Sequence, residues 1–323
     1  VHGISLNIPT NPSNFKVLNL DKKCKSHKID IKNIKNFRNK IKKIQPDFIF
    51  HLAAQSLVKK SYSNPLNTFL TNSIGTMNLL ESLRSLKRKC TVILITSDKS
   101  YKNLELKRGY KENDILGGKD PYSASKASAE IIIQSYLSSF FLKKKNITIG
   151  IARAGNVIGG GDWSSNRLVP DCIKYWSKNK QVNIRNPLST RPWQHVLEAV
   201  GGYLIFAKKL NKTRKLHGQV FNFGPSNQNN NSVIKLVKTM RQTWKKVSWK
   251  VIKNKKNFYE SNLLKLNCSK AYKVLKWKSL LNFDQTIKMT VEWYKEFYNS
   301  PKNIIEFSLS QIKDYEKKLF KKQ

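Results

Sequence analysis

The chain has 323 residues, of which 39% are hydrophobic and 11% aromatic. This composition can build one large domain or two ordinary ones, and it excludes disorder over the whole length. Its 61 Lys and Arg residues outnumber 20 Asp and Glu residues, which gives a formal net charge of +41 at pH 7 and suggests a polyanionic partner. The basic residues are mostly lysine and are spread along the chain, so we expect compositional bias at solvated positions rather than specific nucleic-acid binding.

Membrane and disulfide-stabilised classes are also excluded at this stage. No stretch approaches the 18 consecutive apolar residues of a membrane helix, and the first residues lack the pattern of a secretory signal. The four cysteines, Cys24, Cys90, Cys172 and Cys268, are scattered without a Cys-x-x-Cys pair, which argues against a disulfide framework or a zinc site. We therefore expect a soluble cytoplasmic protein with buried thiols, no bound metal and no membrane partner.

Short apolar runs alternate with helical patterns up to about residue 225, which is typical of a parallel sheet wound by helices. The predicted strands are Val1–Leu6, Ser26–Ile31, Asp47–Ala53, Cys90–Thr96, Ile147–Ala152 and Val220–Phe223. Long amphipathic helices are predicted at Asn64–Leu86 and Asp120–Phe141, the second opened by Asp120 as N-cap. The predicted fold class is α/β, with a doubly wound parallel, Rossmann-like sheet.

The pattern loosens after about residue 160 into helices separated by loops rich in Asn, Pro and Gly. These helices are predicted at Pro170–Lys178, Ser232–Trp244, Cys268–Leu275 and Asp284–Tyr298. We expect a Rossmann-like domain at residues 1–160, with the strand near residues 220–223 joining its sheet. A smaller substrate-binding lobe is expected mainly at residues 161–298, and a basic, helical tail at residues 299–323.

The beginning of the chain departs from the usual nucleotide-binding pattern. Such sheets open with a strand, a glycine-rich turn and a helix whose N-terminus holds a pyrophosphate. The chain has no turn of the G-x-G-x-x-G kind, and Val1–Leu6 looks like the second strand of the pattern. We therefore expect an N-terminally truncated sheet that lacks its first βα unit, and a fragment that is inactive on its own.

Tyr122 and Lys126 lie four residues apart, on one face of the helix predicted at Asp120–Phe141. A positive charge close to a tyrosine favours the phenolate and lowers the pKa of the hydroxyl, which then serves as a base for an alcohol proton. The same spacing also arises by chance on an exposed face of a lysine-rich helix. The pair alone therefore does not identify an active site.

A second group of polar residues follows the strand predicted at Cys90–Thr96. Thr96, Asp98 and Lys99 come at its carboxyl end, which is the edge where open α/β sheets bind their ligands. A hydroxyl and a carboxylate at that edge supply a hydrogen-bond donor and a general acid. The alternative interpretation of each residue is ordinary turn chemistry.

These features in this order resemble the extended short-chain dehydrogenase/reductase family, which comprises NAD-dependent epimerases and dehydratases. Within it, the chain is most similar to the 4,6-dehydratases of nucleotide sugars, and in particular to those that use CDP-glucose. The resemblance extends from Val1 to about Tyr298. It rests on the segments His51–Gln55, Thr96–Lys99, Gly117–Lys126, Ala152–Trp163, Arg167–Cys172 and Ile184–Glu198.

The resemblance implies a reaction and the residues that carry it. Bound NAD would oxidise the sugar C4 hydroxyl of CDP-glucose, water would leave across C5 and C6, and the hydride would return to C6. Tyr122 would take the C4 proton, Lys126 would lower its pKa and bind ribose, and Thr96 would bond the C4 oxygen. Asp98 would protonate the departing C6 hydroxyl. Lys99 stands where related enzymes have the Glu that takes the C5 proton, and it acts either as a neutral base or by stabilising the enolate charge.

The resemblance also implies binding residues and partners. The implied NAD contacts are Asp30, Ala53, Ala54, Gln55, Tyr122, Lys126 and Arg153. Asn156 and Arg191 are the implied substrate contacts, with Arg191 as a planar, bidentate ligand of the diphosphate. The helices predicted at Asn64–Leu86 and Asp120–Phe141 are expected to form a homodimer or homotetramer interface, unless their apolar stripes are used entirely against the sheet.

Two alternatives remain open at this stage. One is a related dehydratase or epimerase that acts on a GDP- or dTDP-linked sugar. The other belongs to a different class, a basic nucleic-acid-binding protein on a similar scaffold, and it predicts clustered arginines and affinity that falls steeply with salt.

Overall fold

The computed structural model describes residues 1–225, 230–252 and 263–320. The strands are β1 (His2–Ser5), β2 (Lys25–Lys28), β3 (Phe48–His51), β4 (Cys90–Ile95), β5 (Ile147–Ala154), β6 (Val157–Ile158), β7 (Val182–Ile184), β8 (Thr190–Pro192), β9 (Gln194–His195), β10 (Val220–Phe223), β11 (Asn230–Ser232) and β12 (Trp249–Val251). The helices are α1 (Asn14–Val17), α2 (Ile34–Ile44), α3 (Val58–Ser63), α4 (Pro65–Phe69), α5 (Gly75–Arg84), α6 (Pro121–Tyr136), α7 (Leu168–Trp176), α8 (Val196–Lys212), α9 (Val233–Thr243), α10 (Phe283–Asn299) and α11 (Ile304–Phe320).

The central sheet has four parallel strands in the order β10-β5-β4-β3, and β1 pairs with β2 in a separate parallel ribbon. Side chains of β4 alternate between the two faces of the sheet. Val92 and Leu94 pack with α2, α5 and α6, whereas Ile93 packs on the opposite face with α8. The predicted α/β class with a parallel sheet covered on both faces is therefore confirmed.

A third apolar core lies in the C-terminal half of the chain. It joins α7, α9 and α10 and includes Trp176, Trp293 and Tyr294. Three short two-stranded ribbons, β11-β8, β12-β7 and β6-β9, connect this half to the region that follows β5. No helix in the described ranges has the length and hydropathy needed to cross a membrane.

The predicted helices at Asn64–Leu86 and Asp120–Phe141 are present but interrupted. A π-helical turn at Leu70–Ile74 joins α4 to α5, and a second one at Leu137–Phe141 extends α6. The helix predicted at Cys268–Leu275 is shorter, with a π-helical turn at Ala271–Leu275. The strand predicted at Ser26–Ile31 ends at Lys28, and Asp30 beyond it accepts a hydrogen bond from the backbone N–H of Lys32.

Four helices were not predicted, namely the short α1 and α3, α2 and the 17-residue α8. The pair Gly201 and Gly202 near the start of α8 is locally unfavourable, because glycine destabilises helix interiors. In the structure, a Cβ at Gly202 would overlap the ring of Phe223 in β10. The glycine lets α8 approach the sheet closely, and burial of the helix outweighs its intrinsic propensity.

Candidate active site

The register of β4 on β5 assembles the site. The two strands are parallel, and Ile95 pairs with Ala152. The segments that follow them, Thr96–Lys99 and Arg153–Asn156, therefore leave the sheet side by side at its carboxyl edge, the usual ligand-binding edge of open α/β sheets. Both segments contribute to a cavity of about 460 Å³, which Tyr122 at the start of α6 also borders.

Asp98 is the most deeply buried carboxylate of this cavity, with 1% of its surface exposed. It accepts hydrogen bonds from the Ser97 hydroxyl (3.0 Å) and from the Asn156 side-chain amide (3.2 Å). Burial raises the pKa of Asp98, and the nearby Lys99 charge and the Ser97 hydrogen bond oppose the rise. A Cβ at Gly155 would overlap the Asp98 carboxylate, so glycine is required there for the carboxylate to fit.

Tyr122 is held by the capped start of α6. Asp120 accepts hydrogen bonds from the backbone N–H and the hydroxyl of Ser123, and the Tyr122 backbone N–H donates to the Ser61 hydroxyl at 3.2 Å. Burial raises the pKa of Tyr122 to about 12, and a hydrogen bond with the Ser97 hydroxyl acts in the opposite direction. In this structure, then, the neighbours that favour the phenolate are Ser97 and, to a smaller extent, Arg167.

The structure places two hydroxyls at the end of β4, and both border the cavity. The Thr96 hydroxyl donates to Glu130 at 2.7 Å, whereas the hydroxyl beside the Tyr122 phenol is that of Ser97. Successive residues leave a strand end in opposite directions, so the two hydroxyls meet different partners. The sequence contains both hydroxyl residues, but it does not show which one lies beside the phenol.

Arg153 does not border the cavity. It forms a buried ion pair with Glu130, with Nε at 2.8 and 3.0 Å and Nη2 at 2.5 Å from the carboxylate oxygens, and its Nη1 donates to the carbonyl of Glu112. Its guanidinium also lies over the ring of Tyr101. The NAD contact predicted for Arg153 stays a prediction, and in this structure the guanidinium binds partners within the chain.

Lys126 is buried beside the end of β4. Its ammonium donates to the carbonyl of Ile95 at 3.4 Å, the one hydrogen bond found for it in the described part of the chain. Burial lowers the pKa of Lys126 to about 8, and the Glu130 carboxylate partly counteracts this. The remaining N–H groups of the ammonium can donate to an oxygen-rich ligand, such as the vicinal hydroxyls of a ribose.

Basic side chains surround the cavity, as an anionic ligand requires. Arg191, predicted as a diphosphate contact, borders it, and so does Asn156. Three further residues that the sequence analysis missed also line it, namely Arg167, Arg185 and Tyr203. Arg167 and Arg185 lie in the segments Arg167–Cys172 and Ile184–Glu198, on which the resemblance rests, so those segments were the available signal; Tyr203 lies in none of these segments.

The remaining predicted residues lie outside the cavity lining. Gln55 is hydrogen-bonded to the neighbouring helical segment. Its backbone N–H donates to the Asn72 side chain at 2.8 Å, and its side-chain amide donates to the Thr68 hydroxyl at 3.0 Å. Ala53 and Ala54 are half-buried at the end of β3. Asp30 follows β2 and pairs with Lys32 at 3.5 Å.

The arrangement places an acid, a phenol and several cations around one cavity, which suits proton transfer on an anionic substrate. No cluster of three metal-ligating side chains occurs within the described residues. A sequence profile of the family described as GDP-mannose 4,6 dehydratase matches residues 4–290. The chain is 39% identical over 320 residues to the CDP-glucose 4,6-dehydratase of Salmonella typhimurium, covering 98% of this chain and 89% of that protein.

More distant relatives share the fold. The dTDP-glucose 4,6-dehydratase of Haemophilus influenzae is 26% identical, with 83% of this chain and 81% of that protein covered. The structure of dTDP-glucose 4,6-dehydratase from Bacillus anthracis in complex with NAD matches with a TM-score of 0.74 at 22% identity, covering 93% and 90% of the two chains. UDP-glucuronic acid 4-epimerase from Bacillus cereus, in complex with UDP-glucuronic acid and NAD, matches with a TM-score of 0.78 at 20% identity, covering 92% and 91%.

Proposed function

Because the chain belongs to the GDP-mannose 4,6 dehydratase family, we propose that it is an NAD-dependent CDP-glucose 4,6-dehydratase. The observation that carries the proposal is the convergence of Asp98, Lys99 and Tyr122 on one cavity bordered by Arg191. An acid placed beside a base distinguishes a dehydratase from an epimerase, which has no leaving hydroxyl to protonate. The identity of 39% over nearly the whole chain supports CDP-glucose as the substrate.

The residues present fit the nicotinamide half of NAD. Lys126 has free N–H groups beside the Tyr122 helix turn, and the half-buried Ala53 and Ala54 leave room for a flat group near the backbone. The carboxylate of Asp30 lies beyond the carboxyl end of β2 and suits a hydroxyl or amino group of the adenosine half. Bound NAD would supply the acceptor for the C4 hydride and its donor to C6.

In the first stage the C4 hydroxyl loses a proton. Tyr122 serves as the base, and the Ser97 hydroxyl at its side orients the C4 oxygen. The raised pKa of Tyr122 must fall for this role, and the Lys126 ammonium brought close to the phenol by a bound ribose supplies that effect. Lys126 therefore acts both in binding and in setting the protonation of the base.

In the second stage water leaves. The C4 ketone acidifies the C5–H bond, because the resulting negative charge is delocalised as an enolate. Burial raises the pKa of Asp98, which favours the protonated carboxyl group that donates to the departing C6 hydroxyl. The C5 proton passes to the amine of Lys99, which is half-buried beside Asp98, and the ammonium so formed stabilises the enolate charge.

Substrate binding is assigned to the basic and amide residues of the cavity. Arg191 binds the diphosphate, and Arg167 and Arg185 add positive charge around it. The Asn156 side-chain amide donates a hydrogen bond to Asp98 at 3.2 Å. In the proposed complex the same amide contacts the sugar, so it lies between the acid and the substrate. The proposal also includes self-association through α4 to α6 and a cytoplasmic location, which the four free cysteines support.

The test is turnover by the purified full-length protein supplied with NAD and, in parallel, CDP-glucose, dTDP-glucose or GDP-mannose. We expect CDP-glucose alone to yield the alkali-induced chromophore of a 4-keto sugar. Tyr122→Phe should abolish it, with a loss on the order of 10²–10⁴-fold, whereas the exposed Tyr175→Phe should keep the parent rate. Preferred turnover of another sugar nucleotide, or epimerisation without a keto product, would contradict the proposal.

A further inference from the structure

A buried charged array lies directly behind the predicted catalytic residues. Glu130 of α6 is 0% exposed and Arg153 of β5 is 1% exposed. The carboxylate of Glu130 receives three guanidinium contacts from Arg153 and the hydroxyl of Thr96 at 2.7 Å. Burying an ion pair costs free energy. A buried pair in which both carboxylate oxygens are hydrogen-bonded, directly behind the predicted catalytic residues, therefore suggests a functional role.

Lys126 shares the face of α6 with Glu130, one helical turn before it. The two side chains converge on consecutive residues at the end of β4. Lys126 donates to the carbonyl of Ile95, and Glu130 accepts from the hydroxyl of Thr96. The end of β4 therefore holds the Glu130 carboxylate and the Lys126 ammonium on the same side of α6.

The other titratable groups near Lys126 do not offer a negative charge. His51 on β3 lies close enough to feel the Lys126 charge, and burial first and Lys126 second lower the pKa of this histidine to about 3. It is neutral, and its Nε2 lies 3.2 Å from the Thr76 hydroxyl, which itself donates to the Asn72 carbonyl. Tyr122, on the same helix, and Asp98, on the adjoining turn, interact with Ser97 instead.

We propose that Glu130 is a positioning residue that keeps the buried Lys126 side chain protonated, with Thr96 and Arg153 holding its carboxylate in place. Arg153 remains charged under all ordinary conditions, so it fixes Glu130 as a carboxylate. Thr96 donates its hydrogen to Glu130, so its hydroxyl is part of this array. The role of Lys126 in binding NAD and tuning Tyr122 rests on the proposed function.

The proposal has a pH signature. Burial lowers the pKa of Lys126 to about 8 while Glu130 raises it, so loss of the Glu130 charge moves the pKa further down. Without the Glu130 charge, the Lys126 side chain loses its proton at neutral pH and binds it again when the pH is lowered. A residue that only packs the core would change activity equally at every pH.

The experiment measures the Kd for NAD by calorimetry, and kcat, between pH 5.5 and 9. In the parent protein we expect NAD affinity and turnover to weaken as the pH rises past about 8. In Glu130→Gln the same decline should begin roughly one to two pH units lower, with partial recovery at the acidic end. Glu130→Asp should restore the parent profile, because it keeps the charge.

Glu198→Gln is the matched control. Glu198 is also 0% exposed and accepts two backbone hydrogen bonds, from Leu280 and Leu281, but it does not border the cavity. The control should lower thermal stability without moving either pH profile. If Glu130→Gln fails to fold, the double variant Glu130→Gln/Arg153→Met leaves no unpaired charge and carries the same expectation.

The outcomes separate the two proposals. A Glu130→Gln or double-variant profile that coincides with that of the parent, or a shift of equal size in Glu198→Gln, overturns the role of Glu130. Failure of the parent protein itself to bind NAD or to act on any sugar nucleotide overturns the proposed function instead.

Discussion

Two neighbouring hydroxyls at the end of β4 face different partners, and this difference can be measured. Ser97 bonds to Asp98 and Tyr122, whereas Thr96 bonds to Glu130. We expect Ser97→Ala to lower kcat by on the order of 10²-fold or more, because the substrate oxygen loses its partner. The nearly isosteric Thr96→Val should cost less than about 10-fold. Steady-state kinetics on CDP-glucose measures both losses. A larger loss in Thr96→Val would identify Thr96 as the hydroxyl that bonds the C4 oxygen.

Lys99 is the second residue whose role a substitution can identify. If its charge stabilises the enolate, Lys99→Arg should retain more elimination activity than Lys99→Met, since arginine keeps the charge but is never neutral enough to act as a base. In Lys99→Met, oxidation continues while elimination slows, and reduced cofactor should accumulate at about 340 nm, the absorption of reduced nicotinamide. Equal inactivity of both variants would identify Lys99 as the C5 base.

At the level of the elements, the start of α8 carries a pH-dependent cap. The His195 Nδ1 accepts a hydrogen bond from the backbone N–H of Leu197, and burial lowers the pKa of His195 to about 4. Unfolded histidine has a pKa of about 6.5, so between these values the unfolded chain binds a proton that the folded chain does not. This contribution to stability is complete above about pH 6.5 and is lost as the pH falls towards 4.

His195→Asn tests this contribution, since asparagine keeps an N-cap acceptor but does not titrate. Between pH 6.5 and 4, the free energy of unfolding of the parent should fall by up to about 1.4 kcal/mol per pH unit more than that of the variant. Urea unfolding at several pH values measures both slopes. Comparing slopes rather than absolute stabilities removes the effect of the smaller side chain, and parallel slopes would contradict the prediction.

The bounds of some strands and helices could be predicted from the local sequence pattern alone. The strand predicted at Val220–Phe223 coincides with β10, and the predicted N-cap Asp120 does cap α6 through the backbone N–H of Ser123. Strand runs and caps depend on neighbouring residues, so the sequence contains them. The helix α8 was not predicted, and it depends on a non-local contact, because Gly202 lets it approach the distant Phe223 closely.

For the whole molecule, the apolar stripes of α5 and α6 are used mainly against the sheet. Leu79, Leu83 and Ile133 are buried there. Apolar side chains nevertheless remain exposed on these adjoining helices and their extensions, namely Leu66, Leu70, Ile131 and Phe140. They favour the proposed self-association through this surface.

Ile131→Lys tests the proposed interface. Ile131 is 58% exposed, so a lysine there should leave the fold intact while placing charge in the middle of the interface. We expect at least a dimer for the parent and a monomer for the variant by light scattering at micromolar concentration in 0.3 M salt, which screens the large net charge. Leu309→Lys, at an exposed position of α11, should leave the parent state unchanged. A monomeric parent would show that these helices serve the sheet alone.

The sequence by itself determined the fold class, the dehydratase family and the order of the motifs, because strand and helix periodicity, caps and segments such as Thr96–Lys99 are local properties of the chain. It also identified Asp98, Lys99, Tyr122 and Arg191, which the structure brings to one cavity.

Only the tertiary structure decided which of Thr96 and Ser97 faces the phenol, and that Arg153 pairs with Glu130. It also brought Arg167 and Tyr203 to the cavity from distant segments. These outcomes depend on the register of β4 against β5 and on which side chain is buried where the strand ends. Thr96 and Ser97 both border the cavity, and only the packing of α6 and β5 around the strand end selects which hydroxyl meets Glu130 and which lies beside Tyr122.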